Sequence, residues 1–284
     1  MNVQDTTQDH LQRAVQHLAA LRAGTMHGDR EVSGLRHALR DAQATWRNIG
    51  TDLDEVSQLL RDSRKRQAEV YFDALRQGKA DLQIDDVEQG IRQLLREAGV
   101  TLEAIKESER SLTVCLRAAH KRMATVCLTE LRTGKTDDPK ATHEALFKHL
   151  RRSRTKFEDF KTTEQEVMSL VLACFVRLAA RNLEYLRYPL YEFPVDARSA
   201  VYANLSLGGA HPKHIRSSQE EIERLTERHC LRLAKRCLGE LRVQTPNRAN
   251  ARVYRMLTHL GIARTEPSDI GATDQELHTW KYGP

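Results

Sequence analysis

The sequence predicts an all-α protein made of five tandem helical repeats of about 55 residues, stacked as an α-solenoid or a compact superhelical array. Three observations lead there. A dipeptide recurs as Leu21-Arg22, Leu75-Arg76, Leu131-Arg132, Leu186-Arg187 and Leu241-Arg242, with steps of 54, 56, 55 and 55 between the leucines. An apolar residue sits three positions before each leucine: Leu18, Phe72, Leu128, Leu183 and Leu238. Apolar spacing is helical elsewhere too, and seven prolines with no alternating β-branched run leave little room for a sheet.

The leucine of the dipeptide is taken as position 0. Position −19 then holds Val56, Leu112, Val167 and Ile222, and position −16 holds Leu59, Cys115, Leu170 and Leu225. Position −12 holds Ser63, Ala119, Cys174 and His229. With −8, −3 and 0 these positions fall on one arc at 100° per residue, which predicts a long amphipathic helix A of about 25 residues. Its start carries capping boxes at Thr163 to Glu166, Ser218 to Glu221 and Thr273 to Glu276, a weaker copy at Thr51 with Asp54, and a bare cap at Ser108. Gly24, Gly78 and Gly134, three residues past the leucine, predict left-handed helix ends.

Helix B follows a polar loop and converges on Leu39, Leu94, Leu150, Leu205 and Leu260. A short third helix C ends at Ile49, Ile105, Phe160, Ile215 and Ile270, and in repeat 3 it is expected to fuse with B. Repeat 1 spans residues 1–50, then 51–106, 107–161, 162–216 and 217–271; residues 272–284 begin a sixth helix A that caps the stack. Length alone would suggest two domains. The unbroken period argues for a single repeat domain over 1–284, because each unit needs a neighbour to bury its face.

The N-terminus reads as no leader segment: Asp5 and Asp9 argue against a transit peptide. The longest largely apolar run, Val167 to Val176, is half a membrane span, so no membrane association is expected. Five cysteines, an odd number without a leader, read as reduced thiols in a cytoplasmic compartment.

The net charge of +6 is uneven, +5 in repeat 3 against −3 in repeat 2. The densest basic stretch holds Lys148, Arg151, Arg152, Arg154 and Lys156; another holds Arg228, Arg232, Lys235 and Arg236. Arginine also recurs in register, at −9 (Arg66, Arg122, Arg177, Arg232) and at +1 in every repeat. One account is structural: the +1 arginine serves the last carbonyls of its own helix, and the −9 arginine bridges to an acid of the neighbouring repeat. The other is a phosphate-binding ladder for RNA or DNA. Repeat 4 departs from the pattern with an aromatic, proline-rich connector, Tyr188 to Pro194. It reads either as a loop packed on the next repeat or as a partner-docking knob carried by Tyr188, Tyr191 and Phe193.

Other motifs weigh less. Glu97 to Ile105 resembles a helix-turn-helix corner but occupies the B–C slot of every repeat. His229, Cys230 and Cys237 with His211 and His214 lack a short Cys-x-x-Cys pair, so no metal site is expected. Asp85, Asp86, Asp137 and Asp138 read as helix-B caps. No catalytic constellation and no cofactor motif emerges. The expectation is a non-enzymatic scaffold with a protein partner first and nucleic acid second, an α/α-toroid-like enzyme being a third reading. The oligomeric state is not legible.

Overall fold

The computed structural model describes residues 3–78, 83–188, 191–243 and 249–282, with side chains from 7 in the first segment and from 251 in the last. Every regular element among them is helical. In order they are α1 (Val3–Arg22), α2 (Gly28–Asp41), α3 (Leu53–Gln77), α4 (Ile84–Ala98), α5 (Glu109–Thr133), α6 (Pro139–Ser153), α7 (Glu164–Arg187), α8 (Pro194–Leu207), α9 (Gln219–Val243), α10 (Ala249–Ile262) and α11 (Asp274–Tyr282). Odd-numbered helices are helix A and even-numbered ones helix B, so the chain is an all-α helical repeat array. Helices α3, α5, α7 and α9 run 25, 25, 24 and 25 residues, as the spacing predicts. No described helix is long and apolar enough to cross a membrane.

The chain divides into two compact units, residues 1–126 with 146–159 and residues 127–145 with 160–284. In the first, α1 packs on α2 and α3 on α4. One core gathers Leu18, Leu21, Leu35 and Leu39 with Val56 of the next repeat. The other gathers Phe72, Leu75, Ile91, Leu95 and Leu102 with Leu112. In the second unit, α7 packs on α8 and α9 on α10. Leu183, Leu186, Val201, Leu205 and Ile215 form a core with Ile222, and Leu238, Leu241, Met256 and Leu260 form one against Leu277 and Trp280 of α11. Each core is thus one repeat closed by position −19 of the following helix A. Position −16 is only half-buried, in all four copies.

Position −7 carries a signal the periodicity argument passed over. It is alanine in all five repeats, and Ala14, Ala68, Ala124, Ala179 and Ala234 are each 0% exposed. A methyl group with no surface left marks a place where backbones approach closely, and a larger side chain there would have to displace packed neighbours.

Three details differ from expectation. In repeat 2 the buried leucine of helix B is Leu95, one residue past the predicted Leu94, which is only partly buried. Helix C is a single 3₁₀ turn, at Trp46–Ile49, Leu102–Ile105, Phe157–Phe160, Pro212–Ile215 and Pro267–Ile270. Repeat 3 keeps it apart from α6. Two left-handed residues per repeat make the separation. One set ends helix B, at Gln43, Gly99, Arg154, Gly209 and Arg264, and the other ends the 3₁₀ turn, at Gly50, Lys106, Lys161, Arg216 and Gly271. At Arg154 the amide bonds to the Arg151 carbonyl, and the Thr155 amide to the Leu150 carbonyl, a Schellman closure that stops α6. The start of α3 is also shifted: its cap is Asp52, which accepts from the Glu55 amide, while Thr51 donates to the Glu55 carboxylate.

Candidate interaction surface

Arginines of both ladders are engaged inside the fold, with the two expected roles exchanged; at +1, Arg132 reaches Glu166 through its charge, with no hydrogen bond or ion pair among the described residues. The +1 arginine does not serve its own helix end; it crosses to the start of the next helix A. Arg22 donates to Glu55 at 2.8 Å and to the Gly50 carbonyl at 3.1 Å. Arg187 holds Glu221 at 3.0 Å and the Arg216 carbonyl, and Arg242 holds Glu276 at 2.9 Å and the Gly271 carbonyl. Arg76 pairs with Glu107. The Arg242 guanidinium brings the Glu276 carboxyl down to about 2. Glu55 and Glu221 are lowered by Arg22 and Arg187 first and by their neighbouring hydroxyls second.

The −9 arginine, expected on an acid, instead lies against the end of the preceding helix A. Arg122 donates to the Leu75 carbonyl at 2.9 Å. Its guanidinium covers Gly78 so closely that an added Cβ would lie 2.5 Å from Nε. Arg66 and Arg177 cover Gly24 and Gly134 in the same way. Position −12 helps: Cys174 donates to the Leu131 carbonyl, and His229 Nε2 bonds to the Leu186 carbonyl at 2.6 Å. These contacts supplement helix-end carbonyls, of which Leu75 and Leu131 otherwise receive only the Gly78 and Gly134 amides at 3.3 Å.

The basic stretch of repeat 3 is only partly engaged. Lys148 pairs with Asp85 at 2.6 Å, and the N-cap of α4 is Gln83, so Asp85 is not the helix cap it was expected to be. Asp137 pairs with Arg181, and Asp138 does cap α6 through the Ala141 amide. Arg151, Arg152, Arg154 and Lys156 are exposed, and among the described residues their side chains make no hydrogen bond or ion pair.

Beside Lys148 lies a pair that sequence reasoning missed. His120, 4% exposed on α5, meets His149 of α6 with their Nδ1 atoms 2.9 Å apart. Asp85 lies 3.8 Å from His120 Nε2. Burial lowers both imidazoles, His149 adding to the effect on His120 and Lys148 to that on His149. The signal was faint, since the pair is joined only by folding across 29 residues.

The repeat-4 connector is packed on the next repeat and exposed at once. Arg232 donates to the Tyr191 carbonyl at 2.6 Å, and Arg236 pairs with Glu192 at 2.6 Å. Tyr191 is half-buried, stacked on Tyr185 at 5.4 Å between centroids and edge-on to Phe193 at 6.2 Å. Around it Tyr185, Tyr188 and Phe193 are 42%, 57% and 60% exposed. Pro189 and Leu190 of the connector lie outside the described residues.

Alongside, α9 lines a cleft of about 390 Å³ with Arg187, Leu225, Arg228, Leu231, Arg232 and Lys235. The cysteines take no part: burial raises the Cys127 and Cys230 thiols to about 11, which keeps them protonated. Among the described residues no group of three or more His, Cys, Asp or Glu side chains is placed to hold a metal ion. His229 is committed to the Leu186 carbonyl, and His214 accepts from the His211 amide.

Compared with known proteins, the chain matches no family model, no curated protein and no solved structure.

Proposed function

We propose that the protein is a non-enzymatic helical-repeat scaffold that docks a protein partner on the aromatic connector of repeat 4. The observation that carries this reading is the exposure of Tyr185, Tyr188 and Phe193 around a Tyr191 fixed from beneath. Exposed aromatics cost free energy in water, and aromatics already ordered lose little entropy on binding, which is what interface anchors require. Selection of a displayed peptide library on the purified protein tests it. A consensus should emerge on the wild type and vanish on a Tyr188→Ala/Phe193→Ala variant. Selection indifferent to those two substitutions would sink the reading.

The second reading is nucleic-acid binding through repeat 3, favoured by Arg151, Arg152, Arg154 and Lys156, whose side chains make no hydrogen bond or ion pair among the described residues. Short single- and double-stranded RNA and DNA titrated at low and moderate salt decide it. Phosphate binding should weaken steeply with salt as counterions are released, and should disappear when Arg151, Arg152 and Arg154 become alanine.

A further inference from the structure

We propose that the cleft on α9 binds carboxylates of an acidic peptide segment in the partner, whose apolar side chains rest on the repeat-4 aromatics. The proposal rests on the docking reading above and names the chemistry of what docks.

The repeat itself separates structural cations from surplus ones. Arg187 stands at +1 and Arg232 at −9, positions at which other repeats also engage an arginine within the fold, as Arg22, Arg242 and Arg122 do. Arg228 and Lys235 stand at −13 and −6. The other repeats hold Asp62 and Glu69, Ala118 and Thr125, and Ala173 and Ala180 there. The scaffold is therefore built elsewhere without a cation at either place. Both side chains are exposed, and among the described residues neither has a hydrogen-bond or ion-pair partner.

The acids nearby are spent on other cations. Glu184 and Glu221 hold Arg187, Glu192 holds Arg236, and Glu227 faces Arg264. Arg232 joins the cleft to the aromatic loop: one Nη donates to the Tyr191 carbonyl, and the other is buried without a hydrogen-bond partner. Leu225 and Leu231 give the same cleft an apolar wall. Residues seven apart on a helix share a face and lie about 10 Å apart. Two open charges at that spacing, with aromatics at one end, suit a short acidic peptide. A nucleic acid would track a longer run of cations.

The test is fluorescence anisotropy on the full chain with a labelled oligoglutamate peptide carrying a central leucine. A glutamine version of the peptide and a labelled oligothymidine serve as comparison probes. The glutamate peptide should bind and the glutamine version should not. Arg228→Ala/Lys235→Ala should weaken binding about tenfold, Phe193→Ala should also weaken it, and Arg151→Ala/Arg154→Ala should leave it unchanged. Absence of glutamate-peptide binding, or binding indifferent to the Arg228/Lys235 pair, overturns the proposal. Binding that responds to Phe193→Ala alone rejects the cleft and keeps the docking reading. Binding that responds to the pair alone rejects the aromatic half. Oligothymidine bound more tightly through the same pair would make the site one for nucleic acid and end the peptide proposal.

Discussion

At the end of α5 the chain turns through Gly134 with φ +67°, and Arg177 of the next repeat lies against the turn. At the end of α7 it leaves through Tyr188 at φ −72°, ψ 119°, and the equivalent arginine, Arg232, reaches on to the Tyr191 carbonyl. Both corners hold a guanidinium against the chain that leaves helix A. The first closes tightly: a Cβ added at Gly134 would push against the Arg177 side chain and sit on a left-handed backbone. The second connector is only one residue longer, 188–193 against 134–138, and it carries Tyr188 and Phe193 in the open. Where the repeat departs from its own rule, the Tyr188 amide still caps α7 on the Glu184 and Tyr185 carbonyls, but the exposed Tyr188 and Phe193 rings take no part in that closure.

The comparison breaks first at what both corners share. The alanine at −7 should tolerate nothing larger: Ala179→Leu is expected to cost about 3 kcal/mol through overpacking, read as a lower urea midpoint. Next, Gly134→Ala should cost about 2 kcal/mol, combining a left-handed backbone with contact against Arg177, whereas Tyr188→Ala should stay within about 0.5 kcal/mol. Equal losses at the two would remove the distinction between them. Third, Arg122→Ala should lose about 1 kcal/mol by leaving the Leu75 carbonyl only the long bond from the Gly78 amide at 3.3 Å, while Arg151→Ala should be near neutral by the same measure.

Acid should act in one direction. His120, His149 and His229 are lowered by burial from the usual 6.5, so below about pH 6.5 the unfolded chain binds protons that the folded chain refuses. Stability should be full above that pH and fall as pH drops through it, and His149→Gln should flatten the slope in thermal melts. The smallest effect should be a gain. Lys106 is left-handed at φ 60° where two other repeats place glycine, so Lys106→Gly should raise stability by up to about 1 kcal/mol.

The period, the helix lengths and the glycine ends were legible because each is written in residues a few positions apart. The destinations of the ladders were not. Arg22 and Arg187 find partners 33 and 34 residues away, at distances set by how one repeat lies on the next. The Leu94 reading failed by one residue because repeat 2 sits one step out of the 55-residue register, and only packing reveals which leucine turns inward. The −7 alanine was legible and passed over, since a search for large apolar residues ignores small ones. Tyr188, Tyr191 and Phe193 were visible as a break in pattern, but the cleft beside them was not: Arg228 and Lys235 read only as members of a basic stretch until their counterparts in other repeats are set against them.

One junction shows what the duplication preserves. In repeats 2, 4 and 5 a hydroxyl precedes the cap and donates to a glutamate four residues on: Thr51 to Glu55, Thr162 to Glu166, Ser217 to Glu221. In repeat 3 the two have traded places, and Ser111 donates back to Glu107, which still receives Arg76. What is inherited there is a bond, and neither residue by itself. A profile that scores each column alone would count two mismatches at a site where the chemistry is intact, while one that scores the pair would count none. Restoring the majority order with Glu107→Thr and Ser111→Glu together should be silent, although either change alone would leave the junction with two hydroxyls or two carboxylates.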